Sequence, residues 1–156
     1  MVFEELNNLL YINNVDVYAT YKVFLAEDKM GDHTNLEALL KPSSLKTNTA
    51  VDIREQAGEK YSADLKPVNQ ARDIILYFIC HGDSKANFLN NYQSFIDFIK
   101  AGKTGTGWLD LKVAELDTTF KIFVQECSEY SQLTYLEDDL VAARFKVKFR
   151  EPQPAI

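Results

Sequence analysis

Only two cysteines occur in the 156 residues, Cys80 and Cys127. Two thiols make no disulfide framework, and the chain is expected to be made in a reducing cytoplasm. Histidine is as scarce. His33 and His81 stand far apart and no cysteine pair has zinc spacing, so neither a metal nor a cofactor is expected. A basic excess is also missing. With 17 Lys and Arg against 23 Asp and Glu the net charge is −6 and the pI about 4.9, which argues against a nucleic-acid partner. No apolar run approaches the roughly 20 residues of a membrane span. The opening MVFEELNNLLY is acidic and lacks the basic start of a signal peptide. No internal repeat or low-complexity stretch is present.

What is abundant is core material: 46% hydrophobic and 12% aromatic residues, ample for one domain over 1–150. The tail EPQPAI, essentially 151–156, cannot continue regular structure and is expected to be flexible, lying over the surface or on a neighbour. A strand is predicted over 14–25, with Val15, Val17, Ala19, Tyr21 and Val23 on one face. TNLEALL (34–40) predicts a short helix capped by Thr34 or Asn35 and stopped before Pro42. The polar region 26–70 reads as loops around short elements, with a short strand at 49–54. RDIILYFIC is apolar on both faces and predicts a strand covered on both sides. In 85–100, Phe88, Leu89, Tyr92, Phe95, Ile96 and Ile99 share one helical face. Asp83 or Ser84 is placed to cap that helix, and Gly102 to end it in the left-handed conformation. Strands are predicted at 107–113, 119–127 and 142–150. The expected fold is therefore α+β and mainly antiparallel, a β-sandwich or partly open barrel with the 85–100 helix packed on it.

Two residues invite an enzymatic reading. His81 ends one apolar run in "ICHG", and Cys127 ends another, 46 positions later, in "QECSE". Caspase-like proteases have this order, with a Gly after the Cys that is absent here; the missing glycine weakens an oxyanion site. That reading requires a reactive, low-pKa Cys127. The plainer reading makes both residues strand ends. AGKTGTG (101–107) lacks the first glycine of a phosphate loop and follows its helix where such a loop precedes one. LEDDL (136–140) has no calcium-ligand ladder and reads as a solvated turn.

Arg144, Lys146, Lys148 and Arg150 form a positive stripe on one face of the last strand, about 7 Å apart. Acidic residues of an adjacent strand or of another subunit are its expected partners. Glu126, Glu129, Glu137, Asp138 and Asp139 supply such a surface in the same chain. The candidate interface residues are accordingly Arg144, Lys146, Lys148, Glu137, Asp138 and Asp139.

The second half has a characteristic succession: Pro67, the strand ARDIILYFIC, the capped helix SKANFLNNYQSFIDFIK, a glycine-containing loop, then GWLDLKV, FKIFVQECSEY and ARFKVKFREP. With VDVYATYKVFL, LEALLKPSS and DIREQAGEKY in the first half, it resembles bacteriophage distal tail proteins and related tail components of prophages and mobile elements in Bacteroides-type bacteria. The resemblance spans roughly 12–150. It implies a non-enzymatic structural protein, a β-sandwich with a helix on one side. Such subunits assemble as rings, commonly hexameric, and contact other tail proteins in the virion tail after synthesis in the host cytoplasm. It implies no catalytic residue and, with the chain ending at EPQPAI, no appended receptor-binding module. The long polar region 26–66 is expected to reach a neighbouring subunit. A second reading is a carbohydrate- or peptide-binding module using Trp108 and the tyrosines as its platform.

Overall fold

The computed structural model describes residues 6–27 and 32–156; the opening residues 1–5 and residues 28–31, Gly31 among them, lie outside them. Asn13 and Asn14 both have positive φ, 53° and 65°, the requirement of a two-residue type I′ hairpin, which asparagine tolerates. They join β1 (Leu10–Ile12) to β2 (Val15–Asp16), with Ile12 opposite Val15. The strand expected over 14–25 is not continuous. From β2 the chain enters a short helix, α1 (Val17–Tyr21), and returns as β3 (Val23–Leu25). Local capping decides this against the β-branched alternation. Asp16 accepts a hydrogen bond from the Ala19 N–H. Lys22 adopts the left-handed conformation that ends a helix (φ 56°, ψ 37°) and donates its N–H to Tyr18 O.

The second helix, α2 (Thr34–Leu40), stops before Pro42 as expected, with Lys41 extended. Its cap differs from expectation. The first residue outside the helix is His33, which makes no side-chain cap bond, and the carboxylate of Glu27 accepts from the N–H groups of Thr34 (2.7 Å) and Asn35 (3.1 Å). A cap supplied from across a loop leaves no signal in the local sequence.

The remaining elements are the small hairpin β4 (Val51–Asp52) and β5 (Glu59–Lys60), the long strand β6 (Arg72–Gly82), the helix α3 (Lys85–Ala101), and the meander β7 (Trp108–Val113), β8 (Thr118–Gln132) and β9 (Val141–Glu151). The main sheet has seven strands in the order β2-β1-β7-β8-β9-β6-β3, and its pairings are antiparallel. The fold is thus α+β and mainly antiparallel β. The other sheet is only the β4–β5 pair, so no second layer of a sandwich exists among the described residues. The partly open barrel fits instead. In a flat sheet β2 and β3 would lie about 29 Å apart, at about 4.8 Å per strand. Yet only Val17–Lys22 connect them, mostly as a helix rising about 1.5 Å per residue. The sheet must curl until its two edges approach. A cavity of ≈ 260 Å³ at the seam is lined by Leu10 and Val113 from one edge and Val23, Leu25 and Leu39 from the other.

The concave face holds the core. Ile74, Leu76, Phe78 and Cys80 of β6 alternate inward, as do Ala143, Phe145, Val147 and Phe149 of β9, all fully buried or nearly so. The expectation that β6 is covered on both sides is corrected: Ile75 is exposed and Tyr77 and Ile79 are only half-buried. Antiparallel neighbours leave the outer face without crossover helices. Helix α3 lies against the concave face. Phe95 meets Phe78 and Phe145 with ring centroids 5.5 and 5.9 Å apart, and Tyr92 meets Phe145 edge-on at 5.2 Å. Each fully buried side chain of this size contributes roughly 1.5–3 kcal/mol. Ser84 caps α3 by accepting from Asn87 N. Gly102 ends it with φ 69° but ψ −167°, an extended rather than a left-handed helical geometry.

Between Ser43 and Gln70 the chain makes one excursion. Its limbs meet at the base, where Lys46 N donates to Val68 O and Gln70 N to Ser44 O, and the β4–β5 hairpin lies further out. Leu45, Val51, Tyr61, Leu65 and Val68 are each about half-exposed along it. The final residues lie on the base of this arm: Ser43 N donates to Ile156 O, and Asn69 Nδ2 to Pro154 O.

Candidate assembly surface

Strand β8 is much longer than its neighbour β7. The pairing with β7 runs from Thr118–Val113 to Phe123–Trp108 and stops there. From Val124 to Gln132 only the β9 side of β8 is paired. Among the described residues no hydrogen bond from outside the sheet reaches the backbone of 124–132 on its other side. The strand is interrupted twice, by register shifts between Val124 and Glu126 and between Ser128 and Ser131. Glu129 sits at φ 54° in the second. Bulges of this kind are how sheet edges are kept from indiscriminate pairing.

The other flanks are treated differently. Above β3, the edge of β6 is shielded by α2. There the buried side chain of Asn35 stands in for a strand: Tyr77 N donates to its Oδ1 at 2.8 Å, and its Nδ2 donates to Ala26 O at 2.8 Å and to Tyr77 O at 3.3 Å. At the far edge β2 spans Val15–Asp16 only.

At the foot of the open flank lies an open notch of about 490 Å³, lined by Lys100, Thr106, Gly107, Trp108, Phe123, Val124 and Gln125. Trp108 stands edge-on to Phe123 at 5.4 Å, and Lys121 Nζ covers its ring at 5.0 Å. Lys121 thus covers one face of the indole. At the head of the flank the chain turns back through 133–140. Leu133 and Tyr135 are exposed there, Tyr135 by 78%. Asp138 accepts from Tyr135 N, while Glu137 and Asp139 are exposed.

The candidate interface residues divide accordingly. Glu137, Asp138 and Asp139 are together on this turn. The basic stripe does not face them; acids nearer at hand occupy it. Lys146 Nζ lies 2.8 Å from Glu129, and Asp73 of β6 takes both Arg150 (2.9 Å) and Lys148 (3.6 Å). The Arg150 hydrogen bond, ahead of the surrounding charges, holds the Asp73 carboxyl below its usual range, and the Glu129 hydrogen bond holds Lys146 above its own. Arg144 lies over the Tyr77 ring at 4.7 Å. The stripe thus takes the inter-strand role among the alternatives open to it. Sequence reasoning missed Asp73 because its contact with Lys148 and Arg150 depends on β6 lying beside β9.

His81 and Cys127 are not brought together. His81 is opposite Ala142 of β9 and Cys127 is opposite Val147. At about 3.4 Å per residue the two positions differ by about 17 Å along that strand, and they lie on its opposite sides. Their faces differ as well. Cys127 packs against the core cluster. His81 points to the outer face beside Tyr18 and Phe24, with Tyr18 Oη 2.9 Å from its Nε2. Gly82 and the His81 carbonyl, which accepts from Asn91 Nδ2, form the tight turn into α3.

The thiols match this placement. Burial pushes Cys80 up to about 12 and raises Cys127 as well. In the native protein Cys80 is expected to stay silent toward a disulfide reagent until denaturant is added, and Cys127 to react more slowly than a free thiol. Instant labelling of Cys127 at neutral pH would contradict its described surroundings. No group of three or more His, Cys, Asp or Glu gathers as a metal site among the described residues, and no described helix is long and apolar enough to cross a membrane. No family model matches the chain, and neither the curated proteins nor the solved structures contain a match.

Proposed function

We propose that this chain is a non-enzymatic structural component of a phage or prophage tail, in which copies join into a ring that contacts other tail proteins of the virion. The observation that carries the reading is the open flank of β8 from Val124 to Gln132. A strand left half-paired is a hazard in a monomer and a docking edge in an assembly. The order of elements that resembles distal tail proteins supports the same reading. So does the 43–70 arm, whose half-exposed Leu45, Val51, Tyr61, Leu65 and Val68 are suited to lie on a neighbouring subunit. Synthesis takes place in the bacterial host, and the working location is the virion tail.

Sedimentation velocity over a concentration series, with negative-stain microscopy of the largest species, tests the reading. Closed rings of uniform diameter are expected. A protein that stays monomeric at every concentration and salt would end it.

A further inference from the structure

The self-assembly just proposed requires two different surfaces on one chain if the product is a ring, because head-to-tail contacts join unlike patches. Two unlike, complementary patches lie at opposite ends of the open β8 flank. The notch at its foot is cationic and aromatic. Lys100 comes from the last turn of α3, Lys121 lies over Trp108, and Trp108 itself is 37% exposed. The turn at its head is acidic and aromatic: Tyr135 projects between the β8 end and Glu137, Asp138 and Asp139.

Among the described residues Lys100, Lys121, Glu137 and Asp139 make no ion pair; Asp110, opposite Lys121 across the strands, is held by Lys103. The basic stripe of β9 is taken up by Asp73 and Glu129, so it cannot serve as the counter-surface for the acidic turn. A symmetric contact between two β8 flanks is also disfavoured. Antiparallel pairing centred between Cys127 and Ser128 would set Glu126 of each copy opposite Glu129 of the other, where like charges oppose pairing.

We infer that the 133–140 turn of one copy docks in the Lys100–Trp108–Lys121 notch of the next, with Tyr135 entering the notch and Glu137 and Asp139 facing the two lysines. Tyrosine and tryptophan at the centre with charges at the rim is the composition of an interface hot spot. The charges contribute chiefly to register and association rate, so the contact weakens with salt.

Charge reversal separates this contact from the broader reading. One variant carries Lys100→Glu and Lys121→Glu; a second carries Glu137→Lys and Asp139→Lys. Asp138 is left alone because it holds the turn. Thermal unfolding first confirms that both variants fold. In sedimentation, each alone is expected to lose roughly 100-fold or more in apparent association constant, since like-charge juxtaposition costs several kcal/mol. An equimolar mixture is expected to regain wild-type assemblies, because every contact is then between opposite charges. A chain carrying all four reversals should assemble alone. A merely structural role for these residues predicts no rescue in the mixture. Wild-type protein that assembles while either variant does so equally well, or while the mixture fails to recover, overturns this docking and leaves self-assembly standing. A wild-type protein that never assembles overturns both.

Discussion

Replacing Arg72 by methionine is expected to cost about 3–5 kcal/mol of folding stability, the range for removing one partner of a buried ion pair. The side chains of Arg72 and Glu151 are 9% and 4% exposed. The guanidinium donates through Nε to Glu151, through Nη2 to Leu39 O at 2.9 Å, and through Nη1 to Lys41 O. One side chain therefore neutralises a buried carboxylate and satisfies two carbonyls at the end of α2. It also fixes the register of β6 on β9, where Arg72 is opposite Glu151. Methionine keeps much of the length but strands the carboxylate. A second substitution, Glu151→Leu, is expected to restore the part of the loss that comes from the stranded carboxylate, while the Leu39 and Lys41 carbonyls stay without their Arg72 donor. Urea unfolding with an unchanged m-value provides the measurement. A single-substitution loss below about 1 kcal/mol, the level of an exposed pair, would show that Glu151 is not held as described.

The second large effect is expected at Gly102. Its φ of 69° and ψ of −167° fall in a region reached essentially by glycine alone, costing about 1–3 kcal/mol for any other residue. The space is closed as well: a Cβ there would lie 2.3 Å from Gly107 C and 2.5 Å from Gly107 Cα. These are backbone atoms, held in place by the Gly107 N–H donating to Ala101 O at 2.8 Å. Gly102→Ala must therefore break the closure of the 102–107 loop, with a loss of about 3 kcal/mol or more. Gly105 is the control. It too has positive φ, 77°, but nothing lies within 4 Å of its would-be Cβ, so Gly105→Ala is expected to cost only about 1–2 kcal/mol. Equal losses at the two positions would mean that collision adds nothing and that the loop yields freely. Because Thr106, Gly107 and Trp108 line the notch, Gly102→Ala should also blunt self-association more than Gly105→Ala does.

Much of the fold was legible because it is written in short periods. The alternation of Ala143, Phe145, Val147 and Phe149 with Arg144, Lys146, Lys148 and Arg150 marks β9 without help from any other segment. The spacing of Phe88, Tyr92, Phe95 and Ile99 does the same for α3, and Ser84 at its start was a visible cap. Where local rules competed, the outcome was harder to read. Residues 15–23 alternate like a strand, yet Asp16 and Lys22 close a helix inside them. β6 looks covered on both faces because Ile75, Tyr77 and Ile79 are as apolar as their neighbours.

The sequence by itself determined the class of the molecule: an acidic, aromatic-rich, antiparallel α+β domain with one long helix, in which His81 and Cys127 terminate apolar runs. Those features depend on residues two to four positions apart, where side-chain periodicity and capping act. Which strands became neighbours was left to the tertiary structure. That choice put β9 between His81 and Cys127, brought Asp73 rather than Glu137, Asp138 and Asp139 to the basic stripe, and left one flank of β8 open beyond Phe123. Curling seven strands around α3 buries the phenylalanines of β6 and β9 together, and only that non-local burial sets which charges meet and which edge stays exposed.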